Sequence, residues 1–230
     1  MTRGMPANKR TRGQGRTADF PRLLGGRLCL HFANTIEGPI SPEPEDFLHD
    51  YDDLLRWSWH VEAVDDAELK SLRKLARATP DRAREVFEQA IRLRQSVDRI
   101  FRTIAAGGEP RGADLRSVQQ RYLEGLGAAS LGRADQAFSW SLRGIDDLRL
   151  PVWRIAASAV ELLTEGNLTR VKRCPGADDC GWLFYDTSRN GTRRWCSMEG
   201  CGSRMKMRRH YARHKQRSLR YHARVRRFSQ

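Results

Sequence analysis

Four cysteines near the C-terminus constrain this 230-residue chain more than any other feature of its sequence. They are Cys174, Cys180, Cys196 and Cys201, and they form two close pairs with the spacing Cys-x5-Cys-x15-Cys-x4-Cys. Two such pairs supply the four thiolates of a tetrahedral zinc site. A segment of this size buries too little apolar surface to fold unaided, so a bound Zn²⁺ is expected to stabilise it. The spacing therefore predicts one structural zinc ion with four cysteine ligands.

Two disulfides among the four cysteines are a weaker hypothesis than zinc, because of the compartment that we expect for this protein. The chain opens without an apolar leader, and no apolar run approaches the ~20 residues that cross a bilayer, so we expect a cytoplasmic protein with no membrane contact. Thiols stay reduced in the cytosol, which disfavours two disulfides.

His210 and His214 lie four residues apart on the predicted helix, so they could be additional zinc ligands. Because four cysteines already complete the coordination of zinc, both histidines are instead expected on a polar helix face near phosphates.

The formal net charge of +14 is concentrated at the two ends of the chain. Residues 1–18 contain five Lys/Arg and no acidic residue. Residues 166–230 contain seventeen Lys/Arg against four Asp/Glu, whereas residues 19–165 carry a net charge of −4. A slightly acidic body with two basic ends is typical of a protein that contacts a polyanion.

Hydrophobic spacing predicts a mainly α-helical N-terminal domain with a small β-hairpin, an α+β arrangement. Alternation over residues 28–32 predicts a strand, and alternation over residues 137–142 predicts a second strand that pairs with it. Spacing of three and four residues predicts helices through most of the chain between them. Asp65 to Glu68 reads as a capping box, and Pro80 suits the first position of the next helix. A further apolar helix is predicted over residues 151–165.

The cysteine segment itself predicts a treble-clef-like zinc finger. Residues 181–186 favour a strand, Asn190-Gly191 favours a hairpin turn, and residues 193–195 would return towards Cys196. Cys201 is then expected at the start of a basic helix.

Several short motifs also match known families. In segment 168–215 they are the Cys174 and Cys180 pair, Cys180-Gly181-Trp182-Leu183-Phe184, Ser188-Arg189-Asn190, Arg194-Trp195-Cys196-Ser197-Met198 and Cys201-Gly202-Ser203-Arg204. With them the segment resembles the CGNR zinc finger, a bacterial module, although Ser203 stands at the family's eponymous Asn. The stretch Leu24-Gly25-Gly26-Arg27-Leu28-Cys29-Leu30-His31-Phe32-Ala33-Asn34-Thr35 resembles the ABATE domain, with His31 where that family often has Asp. This pair of resemblances implies a stress-induced transcription regulator.

Four regions follow from the charge, the patterning and the resemblance. They are a disordered basic tail over 1–18, a mostly helical ABATE-like domain over 19–166, a four-cysteine finger over 167–217 and a basic extension over 218–230.

The function we expect is zinc-dependent DNA binding for transcription regulation, without enzymatic activity. The candidate nucleic-acid contacts are Arg189, Arg193, Arg194, Arg204, Lys206, Arg208, Arg209, Arg213 and Lys215. An RNA-binding or ribosome-associated zinc protein is the alternative, in which Trp182, Phe184, Tyr185 and Trp195 would stack bases instead of forming a small core around the zinc. No nucleophile elbow, P-loop or HExxH motif is present.

The N-terminal domain is expected to sense a signal or to form a homodimer. Cys29, His31 and Asn34 are candidates for lining a small-molecule pocket, although ordinary strand and turn residues remain the simpler interpretation.

Overall fold

The computed structural model describes residues 20–37, 44–134, 136–176 and 180–227, and for residues 134 and 216–227 it describes the backbone alone. The predicted basic tail over 1–18 lies outside the described residues. Within these ranges the helices are α1 Leu28–Ala33, α2 Tyr51–His60, α3 Asp66–Ala78, α4 Pro80–Ala105, α5 Gly112–Ala128, α6 Leu150–Thr164 and α7 Ser203–Arg227. The strands are β1 Ile36–Glu37, β2 Glu45–Asp46, β3 Ser130–Ala134, β4 Ala137–Ser141, β5 Val171–Arg173 and β6 Leu183–Tyr185.

Local sequence signals correctly predict the starts of α3 and α4. The side chain of Asp65 accepts hydrogen bonds from the backbone N–H groups of Ala67 and Glu68, each at 2.9 Å. Glu68 returns the contact by accepting from the backbone N–H of Asp65 at 3.0 Å, which completes the predicted capping box. Pro80 occupies the first turn of α4, where its missing N–H has no intrahelical partner to lose.

The strand predicted over residues 28–32 is wrong, because this segment is helix α1. Its residues Cys29, Leu30 and Phe32 are fully buried, since α1 lies at the centre of the domain against α4 and α6. A short helix surrounded on several sides carries no amphipathic stripe, so its apolar residues imitated a strand pattern. The second predicted strand exists as β4, but it pairs antiparallel with β3 instead.

The core continues from the N-terminal helices into the cysteine segment. Phe32 and Trp57 pack with ring centroids 5.2 Å apart in its centre. Val171 of β5 and Leu183 of β6 belong to the same buried cluster, at 3% and 0% exposure. The strand pair β5–β6 is therefore packed directly on the helical domain.

Among the helices of the described segments, none combines the length and apolarity that crossing a bilayer requires.

Candidate metal centre and nucleic-acid interface

The four predicted ligands converge on one point. The sulfur atoms of Cys174, Cys180, Cys196 and Cys201 all lie within 4.8 Å of one another. The Cys180–Cys196 and Cys196–Cys201 sulfur pairs are each 3.6 Å apart. Tetrahedral Zn–S bonds of about 2.3 Å place neighbouring sulfurs about 3.8 Å apart, whereas a disulfide needs about 2 Å. The cluster therefore has the spacing of a tetrathiolate zinc site and holds one structural zinc ion.

Backbone geometry around the cluster supports this assignment. A Cβ atom on Gly176 would lie 2.8 Å from the sulfur of Cys201 and 3.2 Å from that of Cys174, so only glycine fits against the ligands. Cys201 lies in a single π-helical turn, Met198–Gly202, that leads directly into α7. Ser197 caps this turn by accepting a hydrogen bond from the backbone N–H of Gly200 at 3.0 Å. The last ligand is thus rigidly attached to the start of a long helix.

The charge of the thiolates is the main electrostatic feature of the site. Hydrogen bonds from the neighbouring thiols lower the pKa of Cys174, and the same contacts raise the pKa of Cys180 and of Cys196. Crowded sulfurs without a cation must share protons, and a zinc ion takes the place of those protons. Arg204 approaches the sulfur of Cys201 at 3.9 Å and offsets part of the remaining negative charge.

The hairpin predicted through Asn190-Gly191 is wrong, because residues 193–195 do not form a strand and β6 pairs with β5. The carboxylate of Asp186, fully buried, organises the intervening loop. It accepts hydrogen bonds from Lys172 Nζ at 2.6 Å, from the backbone N–H of Ser188 at 2.9 Å and from that of Arg193 at 2.9 Å. Burial raises the pKa of Asp186, but these donors outweigh burial and hold it below its usual range.

Sequence reasoning did not identify this role of Asp186. The sequence does contain a local indication of it. Asp-Thr-Ser at residues 186–188 is typical of a turn in which the Asp side chain accepts a hydrogen bond from the backbone two residues later. Residues 188–193 fold back around Asp186 and donate to its carboxylate, so they do not run alongside β6. The partner of β6 is instead β5, which precedes Cys174.

The finger and the helical domain are joined by hydrogen bonds on the second edge of β6. Asn34 Nδ2 donates to the carbonyl of Leu183 at 2.8 Å, and Leu183 N–H donates to Asn34 Oδ1 at 2.9 Å. The indole N–H of Trp182 donates to the carbonyl of Ile36 at 2.8 Å. The N–H of Tyr185 donates to the carbonyl of Gly25, also at 2.8 Å. Each of these bonds links the finger to the segment around α1.

The three residues predicted to line a ligand pocket make contacts inside the fold. Asn34 forms the bonds to Leu183, Cys29 N–H donates to Ser158 Oγ at 3.2 Å, and His31 Nδ1 accepts from the backbone N–H of Gly25 at 3.2 Å. Burial raises the pKa of Cys29 to about 12 and lowers the pKa of His31 to about 4. Cys29 therefore stays a thiol and His31 stays neutral near pH 7. Their use by a ligand stays a prediction.

The candidate nucleic-acid contacts fall into two groups. Arg193 is partly buried, stacks over Phe184 at 4.7 Å and donates to the backbone carbonyls of Trp195 and Cys196, so it braces the finger. The other eight side chains are exposed: Arg189, Arg194, Arg204, Lys206, Arg208, Arg209, Arg213 and Lys215. Their contact with nucleic acid stays a prediction.

The aromatic side chains of the finger lie around the metal site. Phe184 is fully buried with three of the cysteines, and Trp182 and Trp195 pack against the same cluster. Tyr185 packs against the core of the helical domain, with Arg27 4.4 Å above its ring. These contacts favour a small core over the base-stacking platform of the RNA alternative.

Ser203, at the position of the family's Asn, donates a hydrogen bond from its hydroxyl to the carbonyl of Met198 at 3.1 Å. It therefore closes the turn that carries Cys201, and the metal geometry is complete with serine at this position.

Comparison with known protein families agrees with this architecture. A model described as "CGNR zinc finger" matches residues 170–214. The ABATE model, described as "Putative stress-induced transcription regulator", matches residues 26–166, more than half of the chain. A search of curated protein sequences found no match. Neither matching description is that of an enzyme family. The chain therefore belongs to the ABATE family and carries a CGNR zinc finger over residues 170–214.

Proposed function

We propose that this protein is a zinc-dependent, DNA-binding transcription regulator in which α7 lies against the duplex. The observation that carries the proposal is the exposure of α7 directly after the last zinc ligand. From Ser203 to Lys215 every side chain is exposed except that of Met205. A helix that is polar on all sides gains little from packing on its own domain, so a partner is expected to stabilise it.

The charge of α7 indicates the chemistry of that partner. Its 25 residues include no Asp or Glu. At 1.5 Å per residue the helix is about 37 Å long, comparable with one turn of B-DNA. The major groove admits an α-helix, and arginine to guanine is the commonest specific contact there. Phosphate contacts by the remaining cations would fix the register and make affinity salt-dependent.

Zinc is required in this proposal because it fixes where α7 begins. The metal orders the turn Met198–Gly202, and Cys201 attaches that turn to the other three ligands. Without the metal, the basic helix has no defined orientation relative to the domain.

The experiment is a binding selection with zinc-loaded protein, a random duplex DNA pool and structured RNA as competitor at near-physiological salt. We expect an enriched DNA motif. Arg209→Ala should weaken binding and reduce the slope of log affinity against log salt by about 1. Lys70→Ala, an exposed substitution on α3, serves as the control. Affinity that survives chelation of the zinc would contradict the proposal, and preferential capture of RNA would favour the ribosome-associated alternative.

For the N-terminal domain we propose a sensing or dimerising role. Its support is a wide cavity beside α5 and α6, together with exposed apolar side chains on the β3–β4 ribbon. Light scattering of the zinc-loaded protein, with and without DNA, tests for the homodimer.

A further inference from the structure

A cavity of about 850 Å³ lies between α5, α6 and β4. We call it the α5–α6 cavity, and its apolar wall includes Tyr122, Leu126, Trp140, Trp153 and Val160. Its volume is within the range of about 300–1,000 Å³ that is typical of small-molecule sites. None of the residues proposed above for zinc or nucleic acid lines it.

The two helices meet tightly at this cavity. A Cβ atom on Gly125 of α5 would lie 2.7 Å from the Cβ of Trp153 on α6, so glycine permits the close approach. Trp153 is only 2% exposed, which fixes its ring in the fold. The wall is therefore already formed in the absence of a ligand.

The charge that lines the cavity is opposite in sign to that of the whole chain. Its acidic residues are Glu62, Asp65, Glu68, Glu161 and Glu165, and its basic residues are Arg27, Arg143 and Arg154. This is a local excess of two carboxylates in a protein whose net charge is +14.

Two of the three arginines make internal contacts, and one of these contacts is an ion pair. Arg154 forms two hydrogen bonds of 2.6 Å with the carboxylate of Glu68, so these charges neutralise each other. Arg27 stacks over the ring of Tyr185 at 4.4 Å, on the side of the finger. Arg27 keeps its charge in this contact, so the carboxylates of Glu62, Asp65, Glu161 and Glu165 face two arginines, Arg27 and Arg143. The unbalanced charge of the cavity is negative.

Trp140 adds an aromatic surface that is open to a ligand. It lines the cavity from β4 and is still 60% exposed. The pairing of β3 with β4 places Leu131 opposite Trp140 and Arg133 opposite Phe138, so these four residues share one face of the ribbon. Among the described residues no cation lies over the Trp140 ring. The face of an indole ring attracts cations more strongly than the ring of tyrosine or phenylalanine does.

We infer that the α5–α6 cavity binds a lipophilic organic cation. The aromatic and aliphatic wall takes the apolar body of the ligand, and Glu161 and Glu165 on α6 stabilise its positive charge. An anionic ligand would face the excess carboxylates, and a bare metal ion would gain nothing from the apolar wall. The inference deepens the sensing role proposed above and rests on it.

The test uses isothermal titration of full-length, zinc-loaded protein with tetraphenylphosphonium. Tetraphenylborate has the same shape and the opposite charge, and it serves as the ligand control. We expect saturable binding of the cation at one site. Trp140→Ala, and separately the double substitution Glu161→Gln with Glu165→Gln, should each weaken binding at least tenfold. Phe138→Ala is the matched protein control, because Phe138 is exposed on the same ribbon face and does not line the cavity.

Three results would overturn the inference. One is no saturable binding of the cation by protein whose thermal unfolding is unchanged. Another is binding of tetraphenylborate that equals that of the cation and is lost equally in Trp140→Ala. The third is a wild-type dimer that Trp140→Ala converts to a monomer, because a second copy of the chain would then occupy the wall.

DNA binding of the same preparation is measured separately. Cation binding without an enriched DNA motif would contradict the regulator proposal alone, and an enriched motif without cation binding would contradict the cavity proposal alone.

Discussion

The side-chain amide of Asn34 pairs with the backbone of Leu183, which is 149 residues away in the chain, through hydrogen bonds of 2.8 and 2.9 Å. Asn34 is 3% exposed and Leu183 is fully buried. One amide thus satisfies both the buried N–H and the buried carbonyl of Leu183 on the edge of β6 that faces away from β5. This pairing connects the conformation of the helical domain to the strand that precedes the zinc ligands Cys196 and Cys201.

Asn34→Ala should therefore destabilise the whole protein. It leaves a buried N–H and a buried carbonyl of Leu183 without partners, and we expect a loss of about 2–3 kcal/mol in the free energy of unfolding. Urea denaturation of the zinc-loaded protein measures it. Asn190→Ala, an exposed change in the finger loop, is the control and should stay within about 0.5 kcal/mol of wild type. A loss confined to that range in Asn34→Ala would show that water satisfies the edge of β6.

Removal of zinc should destabilise the helical domain as well as the finger. Val171 and Leu183 lie in the shared core, so disorder of the finger exposes apolar surface of the domain. We expect one zinc ion per chain by metal analysis and a lower melting temperature after chelation, with a single unfolding transition. Cys174→Ser should lose zinc, whereas Cys29→Ala should retain one ion because Cys29 lies outside the cluster. An unchanged melting temperature for the metal-free protein would show that the domain folds independently of its finger.

Gly176→Ala should weaken zinc binding without removing a ligand. The added methyl group would lie 2.8 Å from the sulfur of Cys201, so the ligands must move apart. We expect about 10–100-fold lower zinc affinity, the range seen when groups around a metal's ligands are altered. Competition with a chromophoric chelator measures this affinity. Gly127→Ala has open space around the new methyl group and should bind zinc as the wild type does.

His31 should make stability depend on pH in the mildly acidic range. Burial lowers its pKa to about 4, whereas in the unfolded chain it titrates near 6.5. The unfolded state therefore binds the extra proton between these values, so the stability contributed by neutral His31 is complete above about pH 6.5 and is lost as pH falls towards 4.

The comparison is with His31→Gln, which keeps an acceptor for the Gly25 N–H and has no titrating group. Between pH 6.5 and 4 the wild type should lose about 2 kcal/mol more than this variant, a figure reduced for the partial exposure of the ring. Zinc release at low pH affects both proteins and cancels in the difference. Equal losses in the two proteins would show that the ring is solvated.

The parts of the structure that follow from the sequence are those with local causes. The clustering of the four cysteines is predicted correctly, because ligand number and spacing define a tetrathiolate site without knowledge of the rest of the fold. The Asp65 capping box and Pro80 likewise mark helix starts through contacts within one turn. The apolar stripes of α4 and α6 are long enough to be distinguished from strands.

The wrong predictions depend on distant partners. Helix α1 has only six residues and is enclosed by α4 and α6, so its apolar pattern reflects burial on several sides instead of periodicity. The pairing of β6 with β5 depends on the carboxylate of Asp186, whose partners include a lysine fourteen residues earlier. The dipeptide Asn190-Gly191 does form a turn, with Gly191 at φ 62°. The chain after the turn does not pair with β6, because the backbone N–H of Arg193 binds the carboxylate of Asp186.

The bonds on both edges of β6 also limit how this finger can be used outside its protein. A fragment that begins at residue 168 would retain all four cysteines and could be loaded with metal. It would lose Asn34, Ile36 and Gly25, and so leave one edge of β6 unpaired beside the newly exposed side chains of Val171 and Leu183. An open strand edge next to apolar surface is a template for self-association. The excised finger is therefore a poor module for fusion proteins, and transplanting it requires carrying the α1 segment along.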